Sequence, residues 1–469
     1  MNRIVPLILA VALFMEQMDS TVIATALPAI AADLGVGPIT LKLALTSYMV
    51  ALAIFIPVSG WMADRYGAKK IFRIAILVFV AGSILCAISG SLVAFVTARF
   101  LQGMGGAMMT PVGRLVLLRT TKRSELVSAM ALLTIPALVG PLTGPPVGGF
   151  ITTYFSWHWI FLINVPIGFI GVWLSTIYLP DVPSISTAPI DLKGFFYTAI
   201  AASGVVFGLS VMSLPALPIE IGIGATVIGM LATILYLIHA RRHPAPLLDL
   251  ALFRDVAFRT SALSGSIFRI AAGAIPFLMP LMLQLGFGMT PFESGLITFI
   301  GAIGAITTKM LARRVFAAAG FRSVLIIAAI SGAATTAANA FFTPATPVIL
   351  IMGFLLAAGF CRSFFFTGIN SLGYSEIDDS QASQATSMSS VLQQISLALG
   401  VAVAAAILES STAFHGRALA LADFHLAFAV VAGLSLVAVI PFLGLAHDTG
   451  SAVSGHGRRA EIAEDIAVK

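Results

Sequence analysis

Phe14-Met-Glu-Gln-Met-Asp-Ser-Thr-Val22 sets two carboxylates, Glu16 and Asp19, inside the first long apolar run of the chain. An acid near the centre of a bilayer costs about 2.5–3.5 kcal/mol on insertion scales, so it is kept where it faces a protein interior or a watery cavity. The stretch therefore reads as a membrane helix with a protein side, and the rest of the chain is expected to supply that side.

The composition agrees. Of 469 residues, 59% are hydrophobic and 10% charged, and the mean hydropathy is +1.02, far too apolar for a soluble globular domain. About fourteen runs of roughly 20 apolar residues, each long enough for a ~30 Å hydrocarbon core, begin near Ile4, Leu41, Ile71, Leu92, Leu126, Trp159, Phe195, Ile219, Phe258, Gly295, Val324, Val348, Ser387 and His425. The expected class is an all-α polytopic membrane protein. The first run is too long, and too acidic in its middle, for a cleaved signal peptide.

The net charge of +6 does not point to nucleic acid, because the cations gather in short loops. Loops after even-numbered runs hold Arg65, Lys69 and Lys70, then Lys122 and Arg123, Arg241 and Arg242, and Arg313, Arg314 and Arg322; the other loops carry little beyond Lys42 and Arg417. Lys and Arg resist translocation, so both termini are expected in the cytoplasm of a cell with its plasma (bacterial inner) membrane as host. The acids Glu376, Asp378 and Asp379 weigh little in this rule. Cys86 and Cys361 both lie in apolar runs and give no basis for a disulfide framework; no metal centre and no cofactor other than protons are expected.

Leu247-Leu-Asp-Leu-Ala-Leu-Phe-Arg254 is too short to span and reads as an interfacial segment. It divides the chain into an N-terminal six-helix bundle (1–180), two extra helices (181–242), a C-terminal six-helix bundle (243–446) and a polar cytoplasmic tail (447–469). Ala63-Asp-Arg-Tyr-Gly-Ala-Lys-Lys70 has a faint echo in Ala312-Arg-Arg-Val315 with Gly320 and Arg322, as a duplicated transporter would show.

Depth sorts the intramembrane charges. At 1.5 Å per residue Glu16 and Asp19 lie ~18 and ~22 Å along the first helix, Arg99 lies ~10 Å below the far surface on the fourth, and Arg269 ~16 Å along the ninth. All four fall in one slab. Either they line a functional cavity or they form an inert set of buried ion pairs. Glu16 and Asp19, three apart, are expected to titrate jointly, with Glu16 alternatively a cation-recognising side chain. Gly60-Trp-Met-Ala-Asp64-Arg65-Tyr-Gly67 suits a tight turn, and depth brings Arg114 to the same face as Asp64, so these two are expected to pair. Gly140-Pro141-Leu-Thr-Gly144-Pro145-Pro-Val-Gly148-Gly149 carries too many breakers for an ordinary helix and is expected to be a kinked interface helix.

These stretches together resemble the major facilitator superfamily, in its fourteen-helix drug:proton antiporter branch. The first helix is similar to that branch's signature at Asp19, Thr21, Ala26, Leu27 and Pro28, with Ala24 where Asn is usual and Glu16 an additional acid. The 60–70 loop matches motif A except at Ala68, and Arg99-x-x-Gln102-Gly103-x-Gly105 matches motif B. The fifth run matches motif C apart from Ala131, and Ser156-Trp-His-Trp-Ile-Phe-Leu-Ile-Asn-Val-Pro-Ile-Gly168 resembles the next joint, with His158 where Arg is common. The C-terminal half matches in layout and in Gln393-Gln394 with Gly400-Val-Ala402.

The resemblance implies two six-helix bundles with a two-helix insertion and, functionally, a monomeric, non-enzymatic proton antiporter that exports small amphipathic or cationic compounds by alternating access. It makes Asp19, Glu16 and Arg99 the proton-coupling group and motif A a latch. A substrate cavity is expected around Glu16, Gln102, Arg269 and Arg362, with Phe364, Phe365 and Phe366 as candidate lining. A dedicated exporter of an organic anion, held by Arg269 and Arg362, is the competing reading, and a non-transporting sensor a third. No phosphate-binding loop for ATP is present in the sequence.

Overall fold

The computed structural model describes residues 4–120, 126–181, 190–212, 218–377 and 381–451. Lys122, Arg123, Asp378, Asp379 and the tail beyond Ser451 lie outside these residues. The elements are α1 (Ile4–Asp33), α2 (Lys42–Tyr66), α3 (Ala68–Ala87), α4 (Leu92–Thr120), α5 (Leu126–Tyr154), α6 (Trp159–Tyr178), α7 (Leu192–Met212) and α8 (Ile219–Arg242). They continue with α9 (Val256–Leu281), a helical trace over Pro291–Ala338, α12 (Val348–Leu372), α13 (Ala382–His415) and α14 (Leu421–Val437). The long trace leaves helical geometry at Gly320 (φ 69°, ψ 169°), which makes it two helices, α10 before that glycine and α11 after it. Among the described residues thirteen helices are long and apolar enough to cross a membrane, and α5, 29 residues long, takes the place of the fourteenth run. The chain is an integral, multi-pass membrane protein.

Local sequence explains where the helices stop. Gly67 (φ 90°) separates α2 from α3 and Gly320 separates α10 from α11, a left-handed-region turn that glycine adopts without a β-carbon penalty. The two glycines are the matching positions of the faint internal echo. Thr290 and Glu293 form a capping box that starts α10, and Asp255 caps α9 by accepting from Phe258 N at 2.6 Å. Proline survives inside α1, α2, α4 and α9 because neighbouring helices resatisfy the freed carbonyls.

Helices α1–α6 pack mainly on one another, as do α9–α14, and the two groups meet along α5 with α10 and along α2 with α13. The pair α7–α8 packs together, and α7 also lies against α2 and α13, with Phe195 6.1 Å from Phe55 ring to ring. At the face where α1 ends, both groups share one apolar core that includes Val22, Leu27, Phe95, Leu278, Leu408 and Phe428. At the face where α1 begins the cores are separate, one around Leu9, Phe72 and Val112 and one around Phe316, Phe321 and Phe365.

Two expectations change here. Leu248 and Leu252, 5% and 2% exposed, pack with Tyr236, Phe258, Ala385 and Met388, so the segment after α8 buries its apolar side chains in protein rather than at a lipid interface. Phe364 and Phe365, 7% and 0% exposed, are core residues rather than candidate lining, because Phe365 stacks on Phe268 at 3.9 Å and Phe364 closes on Phe360.

Candidate functional site

Asp19 is wholly buried where α1 faces α4 and α6. Arg99 Nη1 donates to its Oδ2 at 2.7 Å, while Gln102 Nε2 and Asn164 Nδ2 donate to its Oδ1 at 2.8 and 2.7 Å. Gln102 is fixed in turn: its Oε1 accepts from Arg99 Nη1 at 2.5 Å and its Nε2 donates to Ser83 Oγ at 2.8 Å. The guanidinium lies 4.3 Å from the centroid of the Tyr48 ring, a cation–π contact that strengthens when water is excluded. Missing side chains let the helices come this close. A β-carbon at Gly103 would approach Tyr48 O to 2.6 Å, and one at Gly82 would approach the Gln102 backbone to 2.6 Å. Arg99 Nε, Asn164 Oδ1 and Tyr48 OH stay buried without a hydrogen bond.

Glu16, one turn back on α1 and 7% exposed, accepts from Thr110 Oγ1 of α4 at 2.7 Å. The two acids therefore have separate donors, although Asp19 and Arg114 are both near enough to act on Glu16 through their charge. Of the slab expected from depth, the structure joins Asp19 and Arg99 and leaves Arg269 apart. Arg269 Nη2 donates to Asn370 Oδ1 at 3.1 Å and the group sits 5.7 Å from the Phe366 ring, beside a cleft of about 20 Å³. Arg362 lies against Gly301 of α10. These two arginines belong to the second helix group, and their sequence depth said nothing about which helices they face.

The expected Asp64–Arg114 pair is corrected. Asp64 is bonded to Arg119 Nη2, on the last turn of α4, whereas Arg114 is exposed. The right helix was identified but the turn was missed, because five residues move a side chain ~7.5 Å along the axis. Arg65 is exposed, and a β-carbon at Gly60 would meet nothing within 4 Å, so close helix approach is not the role of that glycine; Gly67 supplies the turn.

In α5 the glycines divide by face. β-Carbons at Gly140, Gly144 and Gly148 would strike Phe14 O, Thr21 Oγ1 and Val22 O of α1, and one at Gly149 would strike Pro291 O of α10. Gly295 of α10 returns the contact on Pro145 O. The helix runs on through Pro141 and Pro145 as one element, wedged between α1 and the second helix group.

Sequence reasoning missed the pair that joins the groups at the far face, Lys42 Nζ to Glu409 Oε2 at 2.6 Å, with side chains 0% and 11% exposed. In the sequence Lys42 counts only as a loop charge. It also missed Ser83, Thr110 and Tyr48, and gave Asn164 no role, although a lone amide inside the apolar run Phe161-Leu-Ile-Asn-Val is the kind of polar residue that bonds across membrane helices.

The Major Facilitator Superfamily family model matches residues 9–401. A Pectobacterium carotovorum protein named as multidrug resistance protein MdtD is 37% identical over 434 residues, 92% of each chain, and its Escherichia coli K12 namesake is 36% identical over 409 residues, 86% of this chain and 85% of that one. Among solved structures, the peptide transporter POT in complex with sulfate aligns with TM-score 0.71 at 14% identity over 95% of each chain. A D-xylose-proton symporter aligns with TM-score 0.68 at 14% identity, over 95% of this chain and 98% of that one. The chain belongs to the Major Facilitator Superfamily.

Proposed function

We propose that the protein is a proton-coupled exporter of small amphipathic or cationic compounds that works by alternating access between its two helix groups, in a bacterial inner membrane with both termini cytoplasmic. The observation that carries this is the fully buried Asp19, tied to Arg99, Gln102 and Asn164, one helical turn from the second acid Glu16. Protonating Asp19 removes the charge that holds Arg99 and leaves the guanidinium to Gln102 and the Tyr48 face it already touches; losing the proton restores the ion pair. A group whose bonding changes with one proton is what coupling requires. The unbonded Arg99 Nε, Asn164 Oδ1 and Tyr48 OH give the cluster capacity to exchange partners. Glu16, a second buried carboxyl on the same helix face, suits recognition of a cation when it is ionised. The multidrug-resistance names of the relatives agree with the substrate class.

The shared core where α1 ends and the separate cores where α1 begins support a state closed toward the outside. The anion-exporter reading is weaker, since Arg269 is already engaged by Asn370 and Phe366. The test is reconstitution into proteoliposomes with an imposed pH gradient and a panel of cationic, neutral and anionic compounds. Cation movement driven by the gradient is expected; transport insensitive to the gradient, or confined to anions, refutes the proposal.

A further inference from the structure

Asp191 immediately precedes α7, and His239 and His243 stand one turn apart at the end of α8. Their ligand atoms all lie within 4.8 Å of one another. We propose that these three side chains form a binding site for one transition-metal ion of the zinc class, which clamps the base of the α7–α8 pair to the connector leading into α9.

The donor set is two imidazoles and one carboxylate, which suits Zn²⁺, Co²⁺ or Ni²⁺ and is too poor in oxygen for Ca²⁺ or Mg²⁺. Three protein ligands leave a fourth tetrahedral position for water. The carboxylate is already oriented: Asp191 accepts from Gly194 N at 2.8 Å and Leu247 N at 3.3 Å, the outer support that metal ligands need. His239 Nε2 lies 2.8 Å from Asp191 Oδ1. A tetrahedral ion with ligands ~2.1 Å away needs these atoms about 3.4 Å apart, an opening of roughly 0.6 Å.

A simple imidazole–carboxylate bond needs one histidine; this site has two, one in the last turn of α8 and one at its C-cap, their rings 5.0 Å apart. The contact that yields is the long one from Ala245 N to His243 Nδ1, at 3.3 Å, whichever ring nitrogen takes the ion. The frame around the site is firm, since Tyr236 OH and Leu248 exchange bonds of 2.8 and 2.7 Å across the same connector. Arg241 and Arg242, between the histidines in sequence, are exposed. The spacing His239-Ala-Arg-Arg-His243 is the one signal in the sequence; the aspartate, 48 residues before the first histidine, is not readable from it.

Untagged full-length protein, stripped with chelator, is expected to bind one equivalent of Zn²⁺ with a rise in Tm, and Co²⁺ in its place is expected to give the visible absorption of a tetrahedral nitrogen–oxygen centre. His239→Ala and His243→Ala should each weaken Zn²⁺ binding by at least ~10–100-fold, the loss known for mere outer-shell changes, and abolish the Tm rise. His243→Ala keeps every Asp191 bond, so it reports binding and not folding. Absence of saturable Zn²⁺ binding to the native protein, or undiminished binding to His243→Ala, overturns the proposal.

Discussion

Asp19 and Glu16 share a helix face and differ in everything else. Asp19 carries an arginine and two amides and is sealed from solvent; Glu16 has one hydroxyl donor. Asp19→Asn leaves Arg99 buried without its anion, a change of the kind that costs about 3–5 kcal/mol. We expect a clear fall in Tm and loss of gradient-driven transport, with substrate binding still measurable by fluorescence or calorimetry. Proton movement that persists in Asp19→Asn, followed with a pH-sensitive dye inside vesicles, assigns coupling elsewhere. Glu16→Gln keeps an acceptor for Thr110 and deletes the charge, so binding of cationic substrates should fall about tenfold, ~1.4 kcal/mol, while neutral ones are unaffected. Equal loss for both would contradict cation recognition. Glu16, Asp19 and Arg99 were legible in the sequence because a charge stands out against apolar neighbours. Ser83 and Thr110 were not, since Ser and Thr in membrane helices usually bond their own preceding carbonyls, as Thr97 and Thr176 do here; Ser83 does so too, to Phe79 O, while accepting from Gln102, and composition cannot show the second bond.

At the scale of the element, α5 is a helix whose face is cut away. The first atom a new β-carbon at Gly144 meets is Thr21 Oγ1, so Gly144→Ala should destabilise by ~1–3 kcal/mol through overpacking. Thr21→Ala in the same chain should return part of the loss, and a double-mutant cycle on thermal stability measures it; strict additivity would mean the helices do not touch there. The Asp64–Arg119 bond makes a second claim. Arg119→Ala and Asp64→Asn should impair transport alike, with the double variant no worse than either, whereas Arg114→Ala should leave the pair intact. The glycine spacing of α5 was readable as a helix contact but not the identity of both partners, because one sequence stripe serves α1 and the residue beside Gly148 serves α10. Depth along α4 named the wrong arginine for a related reason: helix ends read from sequence are uncertain by residues, and each residue is ~1.5 Å.

For the whole molecule, the number and order of spanning helices follow from apolar runs, each of which must bury its own backbone bonds in lipid. Which face is closed does not follow, since it depends on side chains such as Lys42 and Glu409 that are 367 residues apart. Glu409→Gln should loosen the closed face. Spin labels on cysteines placed at Ala32 and Phe414, both exposed there, should report a population of longer distances at least tenfold larger than in the parent, and an unchanged distribution would show that the apolar core alone keeps the face shut. The buried cluster also bears on how the chain is made. Arg99 follows Asp19 by 80 residues and Asn164 by 145. At a synthesis rate of ~5–20 residues per second the aspartate waits roughly 4–16 s for its arginine and 7–29 s for the second amide. Throughout that interval α1 is an acid-bearing nascent segment whose neutralising partner has not been translated, so its final seat in the bilayer has to be delayed, within reach of water or the insertion machinery, until the fourth helix arrives to receive it.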